Sequence, residues 1–123
     1  MNKLKILLVM EKSFFREKLI QELVINEYEL ILATDVIEAT QLTRKNSFES
    51  IIAQFSLQGS DAIELILNVK DFKKKTPIII IDFKKSNMKH EALKAGATSF
   101  FDFPVNIKTI IELLNKSLEC VAI

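Results

Sequence analysis

The chain has 123 residues, 49% hydrophobic and 27% charged, the size and balance of one ordinary domain rather than of a disordered or fibrous segment. Lys and Arg number 17 against 16 Asp and Glu, a formal charge of +1, which excludes the strongly basic face of a general nucleic-acid binder. Apolar runs such as Ile6–Met10 and Ile78–Ile81 fall far short of the roughly 20 residues of a membrane span.

Two periodicities alternate along the chain. Met1-Asn2-Lys3-Leu4-Lys5 leads straight into a strand-like run, Leu4–Val9, so no signal peptide is expected. Ser13 caps a helix with Leu19 and Leu23 on its inner face. Tyr28–Ala33 reads as a second strand, and Thr34 or Asp35 caps a helix reaching about Lys45. Ser50–Phe55 is a third strand, and Gly59-Ser60-Asp61 turns into a helix ending near Phe72. Lys70 and Lys73-Lys74-Lys75 read as a solvated basic loop. The four isoleucines after Thr76-Pro77 favour a central parallel strand covered on both faces. Ser86-Asn87 opens a helix that stops at Gly96, a left-handed terminating glycine. Thr98–Asp102 is a fifth strand, and Asn106 caps a last helix striped by Ile107, Ile110, Ile111, Leu114 and Leu118.

Five strand–helix units predict an α/β domain over residues 1–123, a parallel sheet with helices on both faces and right-handed crossovers. In such sheets chemistry gathers beyond the carboxyl ends of the strands. That narrows the site to Met10-Glu11, Gln54-Phe55, Asp82-Phe83 and Phe103-Pro104. Scarcity removes other chemistries. Cys120 and His90 are the single cysteine and histidine, which excludes an intrachain disulfide, a multi-cysteine zinc site and any two-histidine metal motif. Gly59 and Gly96 stand too far apart for a glycine-rich phosphate loop. The terminal Cys120-Val-Ala-Ile reads as a chance likeness to a prenylation box. A cytoplasmic protein with no cofactor is expected.

Four segments carry a resemblance: Lys5-Ile-Leu-Leu-Val-Met-Glu11, Phe48-Glu-Ser-Ile-Ile-Ala-Gln54, Thr76-Pro-Ile-Ile-Ile-Ile-Asp82 and Ala95-Gly-Ala-Thr-Ser-Phe-Phe-Asp-Phe-Pro104. Together, from Lys5 to Leu118, the chain resembles the receiver domain of bacterial two-component response regulators. The resemblance implies a flavodoxin-like, doubly wound five-stranded sheet of strand order 2-1-3-4-5. It also implies a cis bond between Phe103 and Pro104, a geometry that proline amides adopt at low cost. In that family two acidic residues and an acceptor aspartate hold Mg²⁺ and take a phosphoryl group, and a Ser or Thr and a Lys bind its oxygens.

The corresponding positions here are Met10, Glu11, Gln54, Asp82 and Phe103, and only Glu11 keeps the charge type. A neutral amide is not a carboxylate nucleophile, so Gln54 cannot form an acyl phosphate. A thioether is a poor ligand for hard Mg²⁺. Asp82 would repel a phosphoryl group, and Phe103 removes the cation that would stabilise it. The domain therefore reads as a degenerate receiver: not an enzyme, with no catalytic, cofactor or metal residue.

The remaining residues have plainer readings. If Glu11 and Asp82 come close, one has a raised pKa, or the two share a cation or a solvent network, or Lys84 or Lys85 swings over to neutralise Asp82, the lysine and solvent readings being preferred to a metal site. Phe55, Phe83 and Phe103 gather to seal the pocket mouth. Phe100, where the family often has a switching aromatic, is a fixed packing residue, and His90 faces solvent. A protein partner, the domain's own output domain or a second copy would dock on the fourth helix, fifth strand and last helix, a face assigned Lys89, Lys94, Phe100, Asp102, Lys108 and Glu112. Direct contact with nucleic acid or membrane is not expected. The alternatives are a small-ligand sensor using Glu11, Gln54 and Asp82, or an atypical response regulator.

Overall fold

The computed structural model describes residues 3–119, with side chains to Ser117; Cys120 and the terminal box lie outside them. Twelve elements follow in order: β1 (Lys5–Val9), α1 (Phe14–Ile25), β2 (Glu29–Ala33), α2 (Val36–Lys45), β3 (Ser50–Gln54), β4 (Ser56–Leu57), β5 (Ser60–Asp61), α3 (Ala62–Phe72), β6 (Ile78–Asp82), α4 (Lys89–Ala95), β7 (Ser99–Asp102) and α5 (Ile107–Glu119). Five strands form one parallel sheet in the order β2-β1-β3-β6-β7. This is the expected 2-1-3-4-5 order once the short antiparallel pair β4–β5 is counted separately. That pair was not foreseen; its two-residue turn is closed by Gly59 at φ +74°.

The core has two layers because side chains alternate across a strand. Leu7, Val9, Ile51, Ala53, Ile78 and Ile80 pack against α2, α3 and α4 through Val36, Leu65, Val69 and Ala92. Ile6, Leu8, Ile52, Ile79 and Ile81 face α1 and α5 and meet Leu19, Leu23, Ile110 and Leu114. The isoleucine run thus supplies both layers from one strand, and all four of its side chains are buried.

Three helix starts follow the expected caps: Ser13 and Asp35 each accept an amide hydrogen bond from their helix, and the Asn106 side chain accepts from the Lys108 amide. Asp61, expected only as part of a turn, caps α3 by accepting from the Ile63 amide. The fourth helix is the exception. It begins at Lys89 rather than Ser86, with Met88 as a cap that makes no side-chain bond, because Ser86 is committed elsewhere and both Lys85 and Asn87 have positive φ. Its end is as expected: Ala97 N–H bonds Ala92 O and Gly96 N–H bonds Leu93 O, with Gly96 at φ +128°. Lys70 is no free member of a basic loop. Its Nζ donates to Lys74 O and Thr76 O, and burial lowers its pKa. No helix among the described residues is long and apolar enough to cross a membrane.

Candidate functional site

The chain leaves β1 on one side to form β2 and returns on the other to form β3, so the carboxyl ends of β1 and β3 part at the strand-order reversal. Glu11 and Gln54 meet there. Gln54 ends β3, and its side-chain Oε1 accepts the Glu11 amide at 2.9 Å while its Nε2 donates to Ser56 O at 2.9 Å. Both ends of the amide are therefore engaged, tying the β1–α1 loop to β4.

Met10 does not line this place. It is fully buried, belongs to the α1/α5 core layer and holds register through Met10 N–H to Ala33 O at 3.0 Å. Arg16 Nη1 donates to its carbonyl at 3.2 Å.

Asp82 ends β6 with no solvent exposure. One carboxylate oxygen accepts the Lys84 amide at 3.0 Å; the other accepts the Ser86 amide at 2.8 Å and the Ser86 hydroxyl at 2.6 Å. Burial by itself pushes this carboxyl's pKa up, but the Ser86 hydroxyl, the Ser86 and Lys84 amides and the Lys84 charge together hold it below the ordinary value. The expectation of a raised pKa from a Glu11–Asp82 pair is therefore wrong for Asp82. The lysine expectation holds in part: the Lys84 charge lowers the Asp82 pKa, behind the hydrogen bonds from Ser86 and the Lys84 amide.

The aromatic expectation also needs correction. Phe83 and Phe103 do gather, with ring centroids 5.1 Å apart, but their third partner is Phe15 of α1, 5.4 and 5.7 Å away. Phe55 lies on the opposite side of the sheet, buried edge-on against Phe100 at 5.9 Å. The period of two sends residues 55 and 100 to the α3/α4 side. The group does not close the mouth: Phe103 is 37% exposed. Beside it a cleft of about 690 Å³ opens between α1 and the β7–α5 loop, and a second, polar cleft of about 530 Å³ lies across Glu11 and Gln54 toward Lys84. The Phe103–Pro104 bond is cis, as the resemblance implied.

Lys89, Lys94, Asp102, Lys108 and Glu112 are exposed on α4, β7 and α5, as is His90. Phe100 is not available to a partner: it is 7% exposed and packs inward. None of these five charged side chains forms an ion pair among the described residues, where the pairs are Lys5–Glu29 and Arg16–Glu17.

The family model for the response regulator receiver domain matches residues 6–115. The chain belongs to the response regulator receiver domain family. No curated protein matches it significantly. Among solved structures, the receiver is similar to a CheY-like response regulator receiver domain from Methanospirillum hungatei, at TM-score 0.87 and 19% identity, covering 96% of this chain and 95% of that one. It is similar to the receiver domain of a sensor histidine kinase from Pseudomonas aeruginosa with magnesium coordinated in its active-site cleft, at TM-score 0.83 and 19% identity, covering 94% and 97%. It is also similar to the receiver domain of a response regulator from Saccharomyces cerevisiae, co-crystallised with a histidine phosphotransfer signaling protein, at TM-score 0.80 and 21% identity, covering 92% and 87%.

The residues of this receiver do not fit a magnesium ion. Met10 is turned into the core, the Gln54 amide is neutral and engaged, and the Asp82 oxygens are taken by the loop. Glu11 is left as a single carboxylate, short of what so strongly hydrated an ion requires. Among the described residues no group of three or more His, Cys, Asp and Glu stands close enough to hold a metal.

Proposed function

We propose that this receiver signals without phosphoryl transfer, as a degenerate, non-enzymatic module that works in the cytoplasm through protein–protein contact. Residues 1–123 are read as one receiver-like domain. The Gln54 amide carries the reading. At the acceptor position stands a group that is no carboxylate nucleophile and whose oxygen and nitrogen both hold neighbouring backbone. Its neighbours support the same conclusion. Met10, Asp82 and Phe103 have each taken a packing or loop-building role in place of a ligand, a hydroxyl and a cation.

The contact surface we assign is the exposed mixed-charge set Lys89, Lys94, Asp102, Lys108 and Glu112, which suits a partner of complementary charge or a second copy. The Saccharomyces receiver of the same fold engages a protein partner, which supports a protein rather than a nucleic acid or membrane as the target. Incubation with acetyl phosphate and Mg²⁺ followed by intact-mass measurement tests the reading. The mass should stay unchanged; a stoichiometric gain of one phosphoryl group overturns it.

A further inference from the structure

The cleft between α1 and the β7–α5 loop has no role in the reading above. Its floor is the Phe15–Phe83–Phe103 group, and Pro104, Val105 and Ile107 continue the apolar wall. Two large aromatics stay in water at its edge, Phe103 at 37% and Phe14 at 79% exposure. A volume of about 690 Å³ lies inside the range of small-molecule sites, about 300–1,000 Å³, which are mostly apolar with a few polar groups.

Charge at the rim is uneven. Lys12 and Lys18 face one carboxylate, Glu11, and neither lysine is ion-paired among the described residues. The Lys18 ammonium stands 5.4 Å from the Phe14 ring centroid, at the cleft edge. The first turn of α1 adds its positive dipole end to the same rim. At the far side Asn106 has given its Oδ1 to the Lys108 amide. Its amide nitrogen is left as the donor of that side chain.

We propose that this cleft binds a small aromatic carboxylate, with a flat ring system against Phe15, Phe83 and Phe103 and the anionic group between Lys12 and Lys18. The cleft borders the family's phosphate pocket at Glu11, Gln54 and Phe103. It does not include Asp82, which a sensor built on that pocket would need and which is enclosed by its loop.

The test uses the full chain alone, so it can fail without touching the protein-contact reading, and the reverse. Naphthoate, its neutral alcohol and its amine analogue are titrated while backbone NMR shifts are followed. Naphthoate should bind saturably, moving Phe15, Phe103, Val105 and Ile107, and more tightly than either analogue. Lys12→Gln with Lys18→Gln should weaken naphthoate about three- to tenfold, the size expected of two partly solvated ion pairs, and leave the alcohol unchanged. Phe103→Ala should weaken all three ligands. Equal affinity for the three, shifts confined to another face, or no saturation overturns the proposal. So does line broadening at the cleft that dilution reverses, which would assign the surface to a second copy.

Discussion

At Gln54 one side chain does the work of two hydrogen bonds, and this decides what a substitution there can achieve. In Gln54→Asp the nucleophile returns, but a carboxylate cannot donate to Ser56 O, and the shorter side chain reaches the Glu11 amide less well. Met10 still faces the core and Phe103 still stands where the family has a cation, so positioning and electrostatic stabilisation remain absent. The variant should stay unmodified by acetyl phosphate and Mg²⁺ in intact-mass analysis, and lose about 1–2 kcal/mol in urea unfolding. Asp82 makes a second residue-scale prediction. Its carboxyl titrates below the ordinary range in the folded chain, so its stabilising effect is complete above the unfolded pKa and is lost as pH falls through the folded one. Asp82→Asn should cost about 2–3 kcal/mol at neutral pH. The gap from the natural sequence should begin to narrow near the unfolded pKa, about pH 4, and close only as pH falls through the lower folded pKa, below which both forms are neutral. Urea midpoints at the two pH values check this; a gap independent of pH would mean that the charge contributes nothing.

Helix ends show where local chemistry and tertiary demand agree or conflict. Gly96 ends α4 in a conformation that suits glycine, and an added Cβ would also meet Lys70 Cγ at 3.0 Å. The same hydrogen-bond pattern ends α1, where Tyr28 N–H bonds Leu23 O and Glu27 N–H bonds Val24 O. The residue in the positive-φ position is Glu27, at φ +67°. A side chain there carries a steric cost that glycine does not. Glu27→Gly should therefore stabilise the fold by about 0.5–1 kcal/mol, read as a higher midpoint in thermal or urea unfolding. Gly96→Ala should destabilise by at least as much, since Lys70 is held by two carbonyls and yields little room.

For the whole molecule, the proposed reading implies a receiver without a phosphorylation-driven two-state switch. A ligand or modification shifts an equilibrium only through differential interaction with its two states. Here the loop after β6 is already tied to Asp82 by three bonds, and Phe100 is buried against Phe55. The α4–β7–α5 face should therefore bind its partner in the unmodified protein. Co-precipitation with a partner captured from the native cell should be equally strong with and without acetyl phosphate. Charge reversal at Lys94 and Lys108 should weaken it by at least about tenfold.

The alternation of short β-branched runs with capped amphipathic segments determined the sheet, its two layers and the caps of α1, α2 and α5, because those signals are local. Ile78–Ile81 shows this well: four apolar residues in a row have one economical place, a central strand covered on both faces. The identities at residues 10, 11, 54, 82 and 103 likewise carry the proposal that the site does without phosphoryl chemistry. What those residues do instead was decided only in three dimensions. The partner of Asp82 is Ser86, four residues on, yet the loop that joins them exists only because β6 and α4 hold its ends. Phe15, from α1, entered the aromatic group because helix packing against the sheet carried it to the β7–α5 loop. Phe55 left it because one residue of strand phase separates the two faces. Lys70 turned from an apparent surface charge into a clamp on Lys74 and Thr76. Composition and periodicity encode which face a residue takes relative to its neighbours. Which distant segment it meets depends on how the helices settle on the sheet, and that is a property of the packed molecule.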